Sequence, residues 1–190
     1  MIVILGFATA SVTADYVGMF TQAGHAVKVL EPPKFLLGEH DPDDQYIISV
    51  TKELSLRKQL SAKLDEYNLT RATFVHESCW IDPTAVIGPG TFLSPFCTVA
   101  SNARIGKDCL LAPYCLVGHI SQLGDCCLLN PAVTIPGGCN VESGCKFNVR
   151  STLIDYIHVA SGSQIGAGAL VTKNIDTPGF YVGTPARRVK

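Results

Sequence analysis

Residues 85–105 read AVIGPGTFLSPFCTVASNARI, and within them Ile87, Leu93, Val99 and Ile105 fall at every sixth position. The phase runs on in both directions without a break. It begins at Val75 and Ile81 and continues through Leu111, Val117, Leu123, Leu129, Ile135, Val141, Phe147, Leu153, Val159 and Ile165 to Val171. A helix face repeats every ~3.6 residues and a coiled-coil seam every ~3.5, so neither accounts for six. A short strand followed by a corner, wound repeatedly into a coil, does. This is the period of a parallel β-helix, a β-solenoid.

Side chains alternate along a strand, so the residue two before each aliphatic also points inward. Those positions are nearly all small: Cys79, Ala85, Thr91, Cys97, Ala103, Cys109, Cys115, Ser121, Cys127. A narrow coil has room for one large and one small residue per face. The residue after each aliphatic is often a turn former, as at Gly88, Gly106, Gly118, Gly124, Asn130 and Asn148, where a corner calls for unusual φ or no Cβ. Three such units close a triangle, so residue n stacks on n+18. Rungs ~4.8 Å apart give a prism roughly 25 Å tall.

Eight cysteines in 190 residues raise the question of disulfides or zinc. Seven of them lie on the small inward row, Cys126 being the exception, and there is no CxxC. They read as small hydrophobes. His119 and His158 share no rung phase with a third histidine, so no metal is expected. A net charge of -1 gives no nucleic-acid footprint, and the apolar stretches are too short for a membrane span. Met1–Leu5 lacks the basic flank of a signal peptide and reads as a buried strand, which implies a cytoplasmic chain.

Residues 1–72 lack the six-residue period. Ile2–Leu5 reads as a buried parallel strand, followed by Gly6 and a helix from about Ser11 to Gln22 with Ser11 as its cap. Ala26–Leu30 reads as a second strand stopped by Pro32 and Pro33, and Gln45–Val50 as a third. Glu53–Glu66 is amphipathic, with Leu54, Leu60 and Leu64 inward and Arg57, Lys58 and Lys63 outward. This predicts a small, truncated α/β domain of the Rossmann-like, dinucleotide-binding type. Its first loop, Gly6 to Val12, carries one glycine. Thr9 there offers a hydroxyl to a phosphate, and an ordinary strand-to-helix turn reads the same residues equally well.

The chain as a whole resembles the hexapeptide-repeat acyltransferases of the sialic acid O-acetyltransferase family, including the bacillosamine-type N-acetyltransferases acting on nucleotide-linked 4-amino sugars. The residues that carry the resemblance are Val75–His76, Ala85–Gly88, Ala103–Gly106, Leu116–His119, Gly166–Lys173 and Val182–Arg187. The resemblance implies a left-handed parallel β-helix acetyltransferase domain over 73–175. It implies an acceptor-binding domain over 1–72 and a coenzyme A-contacting tail over 176–190. It also implies a homotrimer that binds acetyl-CoA, as co-substrate, between prisms.

By the same resemblance, His119 is the general base and the Gly137 N–H holds the oxyanion. Leu128, Val149 and Ala167 line the coenzyme groove. Lys173, Arg187 and Arg188 meet its phosphates, for which a solubilising tail is the plain alternative. Gly6, Thr9 and Glu31, at the strand ends, contact the acceptor. The implied reaction moves an acetyl group to an amino or hydroxyl group of a sugar, nucleotide-linked, for surface glycan synthesis. Two departures stand out. The family's acid beside the histidine is absent, since Gly118 and Ile120 flank His119, which leaves Asn102 or Asp125 to orient the ring. The first loop has also lost its further glycines. A hexapeptide protein kept for binding or assembly, without chemistry, would show the same losses.

Overall fold

The computed structural model describes residues 1–189. The chain divides into two compact units, Met1–Phe74 and the remainder from Val75. The expected tail, 176–190, ends on Lys190, which lies outside the described residues.

The first unit is a parallel sheet with helical crossovers. Strands β1 (Ile2–Leu5), β2 (Val27–Leu30), β3 (Gln45–Ile48) and β4 (Thr70–Arg71) stand in the order β2-β1-β3-β4. Ile2 is level with both Val27 and Gln45. Helices α1 (Ser11–Gln22) and α3 (Leu54–Glu66) occupy the expected segments. Three details differ from the sequence reading. Pro32 and Pro33 open a short helix, α2 (Pro32–Leu36), rather than only stopping β2; proline fits the first turn, where its missing N–H costs nothing. Ala10, not Ser11, is the N-cap of α1, without a side-chain cap.

The third difference is Arg57, read as outward but fully buried. Its guanidinium donates to the carbonyls of Ile48 (2.9 Å) and Val50 (3.0 Å) at the end of β3. Those acceptors have no strand partner beyond the sheet, and a buried carbonyl needs one. Helical periodicity cannot foresee a cation drawn inward by strand ends.

From Val75 the chain is a β-solenoid of two-residue strands on three faces. One face carries Leu116–Val117 and Thr134–Ile135, the next Gln122–Leu123 and Asn140–Val141, the third Leu110–Leu111 and Leu128–Leu129. Up to the tail strands, the pairings on these faces are parallel and join n to n+18: Leu116 to Thr134, Gln122 to Asn140, Leu110 to Leu128. Rung-to-rung amides close at 2.8–2.9 Å, as from Val86 to Ala103 and from Gly88 to Ile105.

The aliphatic row is buried from Leu93 onward, together with the small row. Val75 opens the period but is 40% exposed, outside the core. The cysteines are free thiols. Cys109, Cys127 and Cys145 donate to carbonyls of Gly124, Glu142 and Ala160 at 3.2–3.3 Å. Cys126 is buried although off the row, and Cys79 is the thiol left partly accessible.

The corners correct one expectation. Positive φ falls three residues beyond each aliphatic, at Phe96, Asn102, Tyr114, Ile120, Cys126 and Tyr156 among others, not at the glycine that follows it. The glycine immediately after the aliphatic serves close approach. A Cβ on Gly118 would lie 2.5 Å from the Pro136 carbonyl carbon and 2.6 Å from the Gly137 nitrogen.

Candidate active site

His119 stands exposed on the corner between strands Leu116–Val117 and Gln122–Leu123. Because the coil repeats every 18 residues, the same corner position is taken by Gly137 one rung on, then by Asp155 and Lys173. The imidazole lies on Gly137. A Cβ there would run into Nε2, come 2.5 Å from Cε1 and 3.0 Å from Cδ2. Only glycine leaves room for the ring. Beside it, Gly138 (φ +68) is covered by the ring of Tyr156, which stands 70% exposed. A Cβ on Gly138 would strike that ring's edge. The Gly137–Gly138 shelf is thus flanked by an imidazole from the rung below and a phenol from the rung above.

The backbone of the shelf is already bonded. The Gly138 N–H donates to the His119 carbonyl (3.0 Å) and the Gly137 carbonyl accepts from the Tyr156 N–H (3.0 Å). The Gly137 N–H, expected as an oxyanion donor, donates to Asp155 Oδ1 at 3.0 Å. Asp155 and Tyr156 were not singled out in the sequence. Adding 18 to Gly137 and Gly138 would have found both.

Neither expected ring partner serves His119. Asp125 Oδ1 accepts the Lys107 N–H (2.9 Å) on a different corner, and the Asn102 N–H donates to Thr84 Oγ1 (2.8 Å). The histidine that does have carboxylate partners is His158. Its Nε2 lies 3.0 Å from Glu142 Oε1, and its Nδ1 lies 3.4 Å from Asp176 Oδ1. The bond to Glu142 holds the His158 pKa above the usual imidazole range. Glu142 is held below the usual carboxylate range by the Ser161 N–H and then by His158.

The other expected residues separate into groups. Lys173, Arg187 and Arg188 converge on a cleft of about 300 Å³ with Tyr181 and Ala186. Here the tail strand Phe180–Val182 pairs with Gln164–Ile165 on one side and Arg187–Arg188 on the other. Three cations on one cleft suit an anion such as a phosphate. Val149 and Ala167 are exposed and stack on adjacent rungs, the Gly168 N–H reaching the Val149 carbonyl at 2.9 Å, but on another corner of the prism. Leu128 is 1% exposed, in an outward row with buried Phe92 and Leu110, so it offers no open surface.

In the first unit a crevice of about 460 Å³ opens at the ends of β1 and β3. Thr9 lines it with Ser11, Ser49, Thr51 and Lys52. Gly6 is instead buried where a Cβ would strike the Ser49 hydroxyl and come 2.7 Å from Thr13 Oγ1, and exposed Glu31 precedes α2. Ser49, Thr51 and Lys52 were missed because their place depends on β3 lying next to β1.

The hexapeptide family described as bacterial transferase hexapeptide (six repeats) matches residues 84–119. No curated protein matches the chain by sequence. Among solved structures, PerB from Caulobacter crescentus, in complex with CoA and GDP-perosamine, aligns at TM-score 0.87 and 18% identity, covering 100% of this chain and 97% of that one. The acetyltransferase domain of PglB from Neisseria gonorrhoeae, in complex with acetyl coenzyme A, aligns at 0.89 and 15%, covering 99% and 98%. WeeI from Acinetobacter baumannii aligns at 0.81 and 20%, covering 100% and 99%. The chain therefore shares the fold of these proteins over its whole length.

Proposed function

We propose that this protein transfers an acetyl group from acetyl-CoA to an amino group of a nucleotide-linked sugar, with His119 as general base. The observation that carries the reading is the seating of the His119 imidazole on Gly137, which puts a base beside a backbone amide on an exposed corner. An amine is preferred to a hydroxyl because PerB is a perosamine N-acetyltransferase crystallised with its GDP-sugar. Surface glycan synthesis is the setting such an acceptor implies.

In this reading the prism is a left-handed β-helix and the first unit is a Rossmann-like acceptor-binding domain. The acceptor nitrogen attacks the thioester carbonyl carbon as His119 Nε2 removes its proton. The Gly137 N–H serves the developing oxyanion. The C–S bond then breaks, and the thiolate takes a proton from the imidazolium. Lys173, Arg187 and Arg188 hold the phosphates of the donor. His119 and Lys173 are three rungs apart, roughly 14 Å, a span of the order of an extended pantetheine arm.

Val149 and Ala167 belong to a different corner, so one chain cannot bring them to the same donor as His119. A neighbouring copy can, which supports a homotrimer with the donor between prisms. A non-catalytic binding role is the second reading, favoured by the Gly137 amide being engaged and by His119 lacking a partner acid. Thiol release from acetyl-CoA, assayed with a panel of nucleotide amino sugars, separates the two. Turnover with at least one sugar, lost in His119→Ala, supports catalysis; no turnover with any of them favours binding.

A further inference from the structure

We propose that Asp155 is a latch on the oxyanion donor: its carboxylate holds the Gly137 amide that the thioester oxygen must take, and acetyl-CoA binds only as Asp155 swings away. This rests on the His119–Gly137 reading above.

Two side chains of one corner meet at Gly137: the His119 ring packs where a Cβ would stand, and the Asp155 carboxylate accepts the N–H, with Oδ1 at 3.0 Å. Gly137 itself is buried although both of its covers are exposed. The N–H is occupied by the carboxylate, so a ligand oxygen takes it only by displacing Asp155. His119 is needed where it is, so the carboxylate must yield. One N–H cannot serve a carboxylate oxygen and a second oxygen gathering negative charge, since the two oxygens repel at that range. Asp155 is exposed and tethered through this bond, so its release uncovers little apolar surface.

Equivalent bonds elsewhere, Lys107 N–H to Asp125 and Asp125 N–H to Ser143 Oγ (3.0 Å), lock a different corner. The Asp155 bond alone falls on the glycine under His119. It sets the donor's affinity rather than the chemistry of the step.

The test is titration calorimetry of acetyl-CoA and of CoA against the full-length protein, alongside Asp155→Ala, Asp155→Asn and Asp125→Ala. A charge-assisted bond at the weak end of its range is worth about a factor of ten. Asp155→Ala should therefore tighten acetyl-CoA about tenfold. Asp155→Asn, which keeps an acceptor oxygen but no charge, should gain less, and Asp125→Ala should bind as wild type.

Amide hydrogen exchange at Gly137 should quicken in Asp155→Ala and not in Asp125→Ala. Unchanged or weaker donor binding in both Asp155 variants overturns the latch. So does a loss of turnover with donor affinity unchanged, which would make Asp155 a partner acid of His119. His119→Ala tests the underlying reading separately. If it keeps turnover while Asp155→Ala tightens the donor, the base assignment fails and the latch stands.

Discussion

Gly137→Ala isolates the seat of the imidazole from everything else in the site. The backbone at Gly137 lies outside the positive-φ region, so alanine fits the chain, and its N–H is retained. The new methyl would stand 2.5 Å from His119 Cε1 and 3.0 Å from Cδ2. Carbon contacts settle near ~3.5 Å, so the ring must retreat by about 1 Å. The ring is exposed and retreats into solvent, so stability should change by less than ~0.5 kcal/mol.

Turnover should fall much further. A misplacement of about 1 Å at a reacting group costs roughly 10²-fold, or about 2.7 kcal/mol of activation free energy. The assay is kcat from thiol release at saturating acetyl-CoA, with the melting temperature as the control on folding. The effect should vanish in a His119→Ala background, because there is then no ring to displace. A Gly137→Ala protein keeping more than half of wild-type kcat, or losing equally in both backgrounds, would show that the imidazole on Gly137 does not carry the proton transfer.

Four further outcomes follow from the geometry. His119→Ala should lower kcat, read from thiol release, by ~10²–10⁴-fold with donor affinity by calorimetry retained; a variant keeping more than about a tenth of wild-type kcat would place proton removal elsewhere. Arg57→Ala should cost about 3 kcal/mol in urea unfolding, since it strips buried carbonyls of their donor; a loss under ~1 kcal/mol would mean water replaces the guanidinium.

The His158–Glu142 contact should give a pH-dependent contribution, read as the melting-temperature gap between wild type and His158→Gln. His158 is raised, so its contribution is full below its unfolded value of 6.5 and fades as pH rises through the higher folded value. Glu142 is lowered, so its contribution is full above 4.5 and fades as pH falls through the lower folded value. The gap should be widest between these limits and shrink at alkaline pH. Native thiol labelling should modify Cys79 first and the rest slowly, because Cys79 is the partly accessible thiol; neighbouring thiols raise the pKa of Cys79 and Cys97 alike, so access and not acidity sets the order, and rapid reaction of six or more thiols would contradict their burial.

The solenoid was legible because its core repeats at a fixed interval, and a single phase assigns inside and outside for a hundred residues at once. Ile81 to Val171 show the six-residue period directly, and the register of n on n+18 is observed at each face. The site was legible in part. His119 and Gly137 fall on one corner by arithmetic, but the sequence does not show that the ring turns onto the glycine, or that Asp155 meets the amide. Those are choices of side-chain torsion. In the first unit, periodicity found α1 and α3 and missed Arg57, because a helical period does not register the carbonyls of Ile48 and Val50, which lie just upstream at the end of β3. Gly6, expected among the residues that contact the acceptor, packs closely against Ser49 and Thr13. A lone glycine in a strand-to-helix turn carries either meaning until the adjacent strand is known.

The prism also constrains how a reaction can be built on it. Its interior is filled by paired large and small rows, so no chemistry fits inside, and its faces are pleated strands that offer open relief only, such as the cleft of about 490 Å³ over Arg104, Gln122 and Asn140. Corners alone project side chains at irregular angles, and each corner repeats one position per rung. A linear substrate laid along a corner therefore meets a column of residues ~4.8 Å apart. On this corner the column reads His119, Gly137, Asp155, Lys173: an imidazole, a backbone amide without a side chain, the carboxylate that accepts from that amide, and a cation.

Such a column can read out a long donor from reactive end to phosphate, but it presents only one wall. Val149 and Ala167 form a second wall at another corner, and rigid strands keep the two apart within a chain. If the site is a groove, its second wall must come from another copy, and catalysis must depend on protein concentration through assembly. Dilution below the dissociation constant of the assembly should then abolish turnover while the monomer stays folded, since the solenoid core is complete in a single chain. Activity per chain that holds constant from the assembled state down to a monomer, followed by light scattering, would break this link between corner geometry and function.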